Sequence, residues 1–310
     1  MNRILLSGAS GFIGRHVARS LIADGADLVA IGRGARPAHL DARVGWHQQD
    51  VLRMDQASTD VIRAIGAECF IHLAWETDHG HFWHEPSNLD WLAASSRLVK
   101  AFLAGGGQRI VGIGTCAEYM PPLHGPCYET RTELAAAPLY CVAKDAFRRA
   151  SQCAAATAGA SFAWGRVFLV YGEHENPARL VPSVIRALLC GKIANCSSGN
   201  QIRDFLDARD CGEAIAALAK SKVIGSVNIA SGRPVPIADV VGRLADQLGR
   251  PELLRLGALP ERAGDPPNLW GDDQRLRDEV GFASNRSLDD GLRDTINWWK
   301  NQSLAGEPNR

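Results

Sequence analysis

Three glycines within seven residues, Gly8-Ala9-Ser10-Gly11-Phe12-Ile13-Gly14, follow the apolar run Ile4-Leu5-Leu6 after a single serine and lead straight into a stretch of helical period. In that stretch Ile13, Val17 and Leu21 recur at i, i+4 and i+8, with Ala18 and Ile22 beside them, so one helix face is apolar. A strand, a glycine turn and a helix in immediate succession make an anion site. Glycines allow a tight turn and close backbone approach, and the free N–H groups and dipole of the helix start stabilise a phosphate. A glycine-rich turn with no ligand is the plainer alternative, but the strand and helix on either side point to a phosphate loop opening a βαβ unit.

The remaining chain repeats the pattern. Apolar runs at 28–31, 69–74, 109–113, 161–170 and 225–230 alternate with longer helical stretches, which predicts a doubly wound α/β fold: a parallel sheet covered on both faces. After Ser87, read as an N-cap, Trp91, Leu98 and Phe102 mark one helix, and residues 140–158 mark another. From about Tyr171 Pro and Gly become frequent, as where a second lobe is inserted. The expected division is 1–171 plus 204–231 for the nucleotide-binding part, and 172–203 plus 232–310 for a smaller mixed α/β lobe. Leu288, Leu292, Ile296 and Trp299 mark a last helix, with fraying expected from Ser303.

Charge narrows the partners. The 34 basic and 34 acidic residues cancel, which argues against a general nucleic-acid binder, and no apolar run reaches the roughly 18 residues of a membrane span. Eight cysteines, at 69, 116, 127, 141, 153, 190, 196 and 211, form no CxxC pair, so reduced thiols in a cytoplasmic chain are expected. His79, His81 and His84 invite a metal reading, but no fixed element orients them and no metal is expected.

The second strand ends in Ile31-Gly32-Arg33-Gly34 with no acid to accept hydrogen bonds from an adenosine ribose. Arg33, with Arg36 or Arg15 nearby, suits a 2′-phosphate instead, so NADP(H) is favoured and NAD(H) remains possible; a solvated loop charge is the alternative. Asp50, with Val51 behind it, stands where an adenine amino group would be met, or else caps a helix. Tyr140 and Lys144 lie four apart, hence on one helix face, where the ammonium is expected to lower the phenol's pKa. Thr115 ends a buried run with a hydroxyl suited to holding a carbonyl oxygen; Cys116 reads as packing rather than a nucleophile.

Residues 8–14, His72-Leu73-Ala74, Thr115, Tyr140/Lys144 and Arg203-Asp204-Phe205 occur in the order and spacing of the extended short-chain dehydrogenase/reductases, which this chain resembles over nearly its whole length. These are nucleotide-sugar epimerases, dehydratases, reductases and decarboxylases on a Rossmann-type fold. The resemblance implies that Gly8, Ser10, Gly11, Phe12, Ile13, Gly14, Arg33, Asp50, Val51, Leu73, Ala74 and Trp75 line the cofactor cleft. It implies that Thr115 and Tyr140 touch the reacting sugar oxygen while Lys144 holds the nicotinamide ribose. Arg203 and Arg262 are similar to arginines that grip a substrate diphosphate, and Trp75, Cys116, Glu118 and Arg179 complete the expected substrate contacts. Helices starting near Leu89 and Tyr140 would build a four-helix homodimer interface.

Departures narrow the reaction. The 4,6-dehydratases carry Asp-Glu after the catalytic threonine, where this chain has Cys116-Ala117, and the combined 3,5-epimerase/4-reductases carry a cysteine where Ala117 stands. Leu169 replaces an asparagine that meets the sugar phosphate in many relatives. The loop after the fourth strand is rich in Trp, Phe and His, and with Gly-Thr-Cys-Ala-Glu-Tyr it is similar to 4-ketoreductases of deoxysugar pathways. The expected activity is NADPH-dependent reduction of a nucleotide-linked 4-keto-6-deoxysugar. The alternative is a nucleotide-sugar 4-epimerase with tightly bound NAD.

Overall fold

The structure, a computed structural model, describes residues 3–78 and 80–304. The first half runs β1 (Arg3–Ser7), α1 (Gly14–Ala23), β2 (Asp27–Gly32), β3 (Gly45–Gln48), α2 (Gln56–Ile65), β4 (Cys69–His72), α3 (Ser87–Ala104), β5 (Arg109–Thr115), α4 (Leu139–Thr157) and β6 (Ser161–Val167). There follow β7 (Leu169–Tyr171), α5 (Leu180–Leu189), β8 (Ala194–Asn195), β9 (Ile202–Asp207), α6 (Ala208–Lys220), β10 (Gly225–Ile229) and β11 (Pro234–Pro236). The chain ends with α7 (Ile237–Leu248), β12 (Leu254–Arg255), β13 (Asn268–Leu269), α8 (Gln274–Asp278) and α9 (Leu288–Leu304).

Seven strands pair in the order β10-β6-β5-β4-β1-β2-β3, all parallel. α1 and α6 cover one face with Ile4, Leu6, Val17, Leu21, Ile71 and Val111 between them and the strands. α2, α3 and α4 cover the other, over Leu5, Phe70, Ile110, Phe147 and Trp164. Strands buried on both sides are near-continuously apolar, which is why the runs were conspicuous in the sequence. Strand order reverses beside β1, and ligands of such sheets bind at that crevice, beyond the carboxyl ends of the strands.

A smaller mixed sheet, β11-β9-β13 with β7 beside β9, packs with α5, α7 and α9 around Tyr171, Ile185, Val240, Leu244, Leu292 and Ile296. Here the expected division is corrected. Residues 169–171 and 205–207, assigned by the sequence to the nucleotide-binding part, pair with each other in the smaller sheet. The reason is local: the run 161–170 carries no turn residue at the boundary, but at Phe168, whose N–H donates to Ile229 O, the chain leaves β6 and changes sheet. Likewise Ser87 is the first helical residue of α3, not its cap; Pro86 holds the cap position.

Candidate active site

Register places Ser7, Ile31, His72 and Gly112 at one level across β2, β1, β4 and β5, so the residues that follow each strand leave the sheet at one edge. The glycine turn forms there. Gly8 has φ +82, and a Cβ on it would stand 2.9 Å from Ala74 N and 3.1 Å from the Leu73 carbonyl carbon. On Gly14, the first residue of α1, a Cβ would meet Gly8 O at 2.0 Å. Glycine is required at both positions, and the helix start they expose fits a dinucleotide diphosphate.

Around the turn the expected cofactor residues gather unevenly. Leu73, Ala74 and Trp75 follow β4; Leu73 and Ala74 pack beside Gly8, while the Trp75 ring lies against Trp91 and Phe147. Arg33 is exposed just past β2, and Gln48 Nε2 donates to its carbonyl at 3.2 Å. Arg36 is committed elsewhere, its guanidinium donating to the carbonyls of Leu40, Asp41 and Val44. Asp50 accepts from Leu52 N at 3.0 Å and caps a 3-10 turn that buries Val51, so the cap reading describes its side chain. Arg15 Nε is buried with no partner among the described residues.

One link below the turn escaped the sequence reading: Ser7 Oγ lies 2.7 Å from His72 Nδ1, and His72 Nε2 lies 2.8 Å from Ser95 Oγ. The ring thereby ties β1, β4 and α3 under the crevice. Burial, and secondly Lys144, lower its pKa to about 3, so it is neutral. The only sequence signal was a histidine inside an apolar run.

Thr115 is the last residue of β5 and caps a 3-10 turn over Cys116–Glu118. Its Oγ1 accepts from Ala117 N at 3.2 Å, and Glu118 reciprocates by accepting from Thr115 N at 2.9 Å, a capping box. The turn corrects two expected substrate contacts. Cys116 points into a core cluster with Tyr119, Cys127 and Phe168, where burial pushes its thiol up to about 12. Glu118 is buried and accepts from Arg166 Nε at 2.8 Å and Trp164 Nε1 at 2.9 Å.

α4 presents Tyr140 and Lys144 inward beside Thr115's strand. Lys144 Nζ donates to Ile113 O at 3.0 Å and lies 4.2 Å from the centre of the Trp75 ring and 6.0 Å from that of Tyr140. Burial lowers the ammonium's pKa to about 7, with Glu118 opposing. Tyr140 departs from expectation: burial first, then Glu118, raise its pKa, outweighing any help from the ammonium. Above it the rings of Phe82 and Trp83 meet Tyr140 edge-on at 4.7 and 5.7 Å, and Tyr140 N donates to Trp83 O at 3.1 Å. Buried Asn88 fixes this roof by donating to Phe82 O and Glu85 O while accepting from Trp75 Nε1 at 2.9 Å.

The expected substrate arginines are engaged or exposed. Arg203, only 4% exposed, pairs with Asp265 at 2.7 Å, whereas Arg262 is exposed. Arg179 pairs with buried Glu175 at 3.1 Å. Leu169 lies in β7. His79 falls outside the described residues; among these, no group of His, Cys, Asp or Glu side chains is arranged to hold a metal ion, and no helix is long and apolar enough to cross a membrane.

The chain is similar to curated proteins along most of its length. A dTDP-6-deoxy-L-talose 4-dehydrogenase (NAD(+)) of Aggregatibacter actinomycetemcomitans is 25% identical over 86% of this chain and 98% of the relative. A protein described as an uncharacterized UDP-glucose epimerase of Bacillus subtilis is 28% identical over 95% of this chain and 96% of its own. In fold, a UDP-N-acetylglucosamine 4-epimerase from Methanobrevibacter ruminantium M1, solved with UDP-N-acetylmuramic acid, superposes with a TM-score of 0.87 at 22% identity, covering 97% of this chain and 99% of that one. The sequence pattern of the NAD dependent epimerase/dehydratase family matches residues 4–230, most of the chain, and the glycine turn, Thr115, Tyr140 and Lys144 all fall inside it. This protein therefore belongs to that family, the extended short-chain dehydrogenase/reductases.

Proposed function

We propose that the protein uses NADPH to reduce the 4-keto group of a nucleotide-linked 4-keto-6-deoxysugar, bound between the two lobes. The observation that carries this reading is the occupation of Glu118. The single carboxylate in the turn after Thr115 is paired with Arg166, so that turn, beside a hydroxyl, a phenol and an ammonium, offers no free acid and base for eliminating water. The bound nicotinamide supplies the hydride equivalent. Thr115, whose oxygen already accepts from Ala117 N, keeps its own proton to donate to the sugar oxygen. Tyr140 is held neutral by burial, the protonation state a proton donor needs. Lys144 steadies the negative charge left on the phenol, and a ribose hydroxyl is assigned to it as a further partner.

The printed name of the Aggregatibacter relative, an oxidoreductase at position 4 of a dTDP-linked 6-deoxysugar, supports this class of chemistry. Arg203 and Arg262 are assigned the substrate diphosphate, which requires Asp265 to release Arg203. α3 and α4 present Leu89, 56% exposed, and Val142, 40% exposed, in support of a homodimer through these helices. A 4-epimerase holding NAD is the second reading, favoured by the printed name of the Bacillus relative.

The decisive assay is NADPH oxidation with dTDP-, CDP-, GDP- and UDP-linked 4-keto sugars. Turnover is expected with at least one; none with any rejects the reductase, and stoichiometric NAD in the purified protein favours the epimerase. For the cofactor, Arg33→Ala is expected to weaken NADPH about ten- to a hundredfold relative to NADH in equilibrium titrations, the loss of one charge-assisted contact. Equal loss for both would remove Arg33 from the 2′-phosphate.

A further inference from the structure

We propose that Glu118 is a positioning residue: from beneath the end of β5 it fixes Thr115 and sets the charge felt by Tyr140 and Lys144. The inference rests on the assignment of those three residues to the reaction.

The carboxylate is fully enclosed and fully subscribed. One oxygen accepts from Thr115 N at 2.9 Å and Trp164 Nε1 at 3.2 Å; the other accepts from Arg166 Nε at 2.8 Å and from the same indole at 2.9 Å. A Cβ on Gly114 would stand 2.1 Å from the first oxygen, so the strand end is shaped around the anion. Arg166 passes the restraint on through Tyr119 OH at 3.1 Å, which donates to Asn228 Oδ1 at 2.7 Å. Thr115 is thus anchored to the sheet by a charge that no solvent or substrate reaches.

The charges facing the site can be enumerated. Tyr140 feels Glu118 from the turn, with Arg179 opposing, while burial keeps the nearby thiols of Cys116 and Cys141 neutral. Lys144 feels Glu118, and His72 from β4 faces it in neutral form. Arg166, on β6, is Glu118's own partner. A buried anion raises both a phenol and an ammonium, so removing its charge lowers both.

Glu118→Gln is nearly isosteric, keeps an oxygen for Thr115 N and removes the charge. In the protein without cofactor or substrate, the Lys144 titration is read from its 13Cε resonance, one of six lysines, assigned with Lys144→Arg. Its midpoint is expected to fall by about one pH unit in Glu118→Gln and to stay in place in Glu118→Asp. With substrate, both variants are expected to lose about tenfold or more in kcat at little change in cofactor affinity, and only Glu118→Gln moves the pH profile. An unmoved Lys144 midpoint in folded Glu118→Gln overturns the proposal. If that variant does not fold, Glu118→Gln/Arg166→Met, which leaves no unpaired buried ion, is read the same way, and failure of both to fold reduces Glu118 to a structural role. Because the titration needs no sugar nucleotide, it stands or falls separately from the reductase reading.

Discussion

Lys144 is stored in a place that opposes its charge. The ammonium has a carbonyl and an indole face as neighbours, and burial brings its pKa from 10.5 to about 7. The lowered folded value means the unfolded chain holds the proton more tightly between those limits. Stability therefore rises with pH from 7 toward 10.5, and the burial cost is complete below pH 7. Lys144→Met is expected to raise Tm at pH 6, with a gain that shrinks toward pH 10, while activity is lost; thermal scans at the two pH values check it, and no gain at pH 6 would show that burial of this group costs nothing. Tyr140 and Lys144 could be read from the sequence because i, i+4 spacing fixes a shared helix face. The inward turn of Glu118 could not, since a single 3-10 turn decides which of its three side chains are buried. Nor could the claim of Asp265 on Arg203, made from 62 residues away along the chain.

Among the elements, the bend from β7 into α5 carries the sharpest conflict. Glu175 is buried there, one oxygen paired with Arg179 and the other with no partner among the described residues, and its carboxyl is pushed up to about 8. With the unfolded value at 4.5, the cost of ionising it in the fold begins above pH 4.5 and is complete above pH 8. Glu175→Gln is expected to raise Tm at pH 8.5 and leave it unchanged or lower at pH 4.5; the reverse order would mean that Arg179 keeps the carboxylate ionised. Helices and strands of the larger sheet were legible because periods of 3.6 and runs of buried β-branched and aromatic residues are local signals. The β6–β7 boundary was not, since no polar turn separates the two strands and only the pairing partner changes.

At the scale of the molecule, the larger and smaller sheets join without slack. A single residue, Phe168, separates β6 from β7, and β9 runs into α6 with Asp207 as its cap, accepting from Arg209 N. After β10 the chain is fastened by Asp204, whose carboxylate accepts from Ser231 N at 2.8 Å and Gly232 N at 2.9 Å. The two lobes are expected to unfold together, in one calorimetric transition. Limited proteolysis is expected to cut first in the exposed stretch 256–264 and at none of these crossings. Early release of an intact fragment 1–167 would contradict this.

The buried Asp204 at the third crossing also limits how such a chain can be recombined. Its carboxylate belongs to the smaller sheet and its acceptor duty to the larger one's exit, so a chimaera that borrows a foreign segment 172–203 inherits the native clasp, whereas one that borrows through residue 207 must bring residues 231 and 232 with it. Grafts that respect this pairing are expected to express as folded protein. Those that separate Asp204 from its two amides leave a buried carboxylate with unmet hydrogen bonds, the kind of defect that costs a fold several kcal/mol.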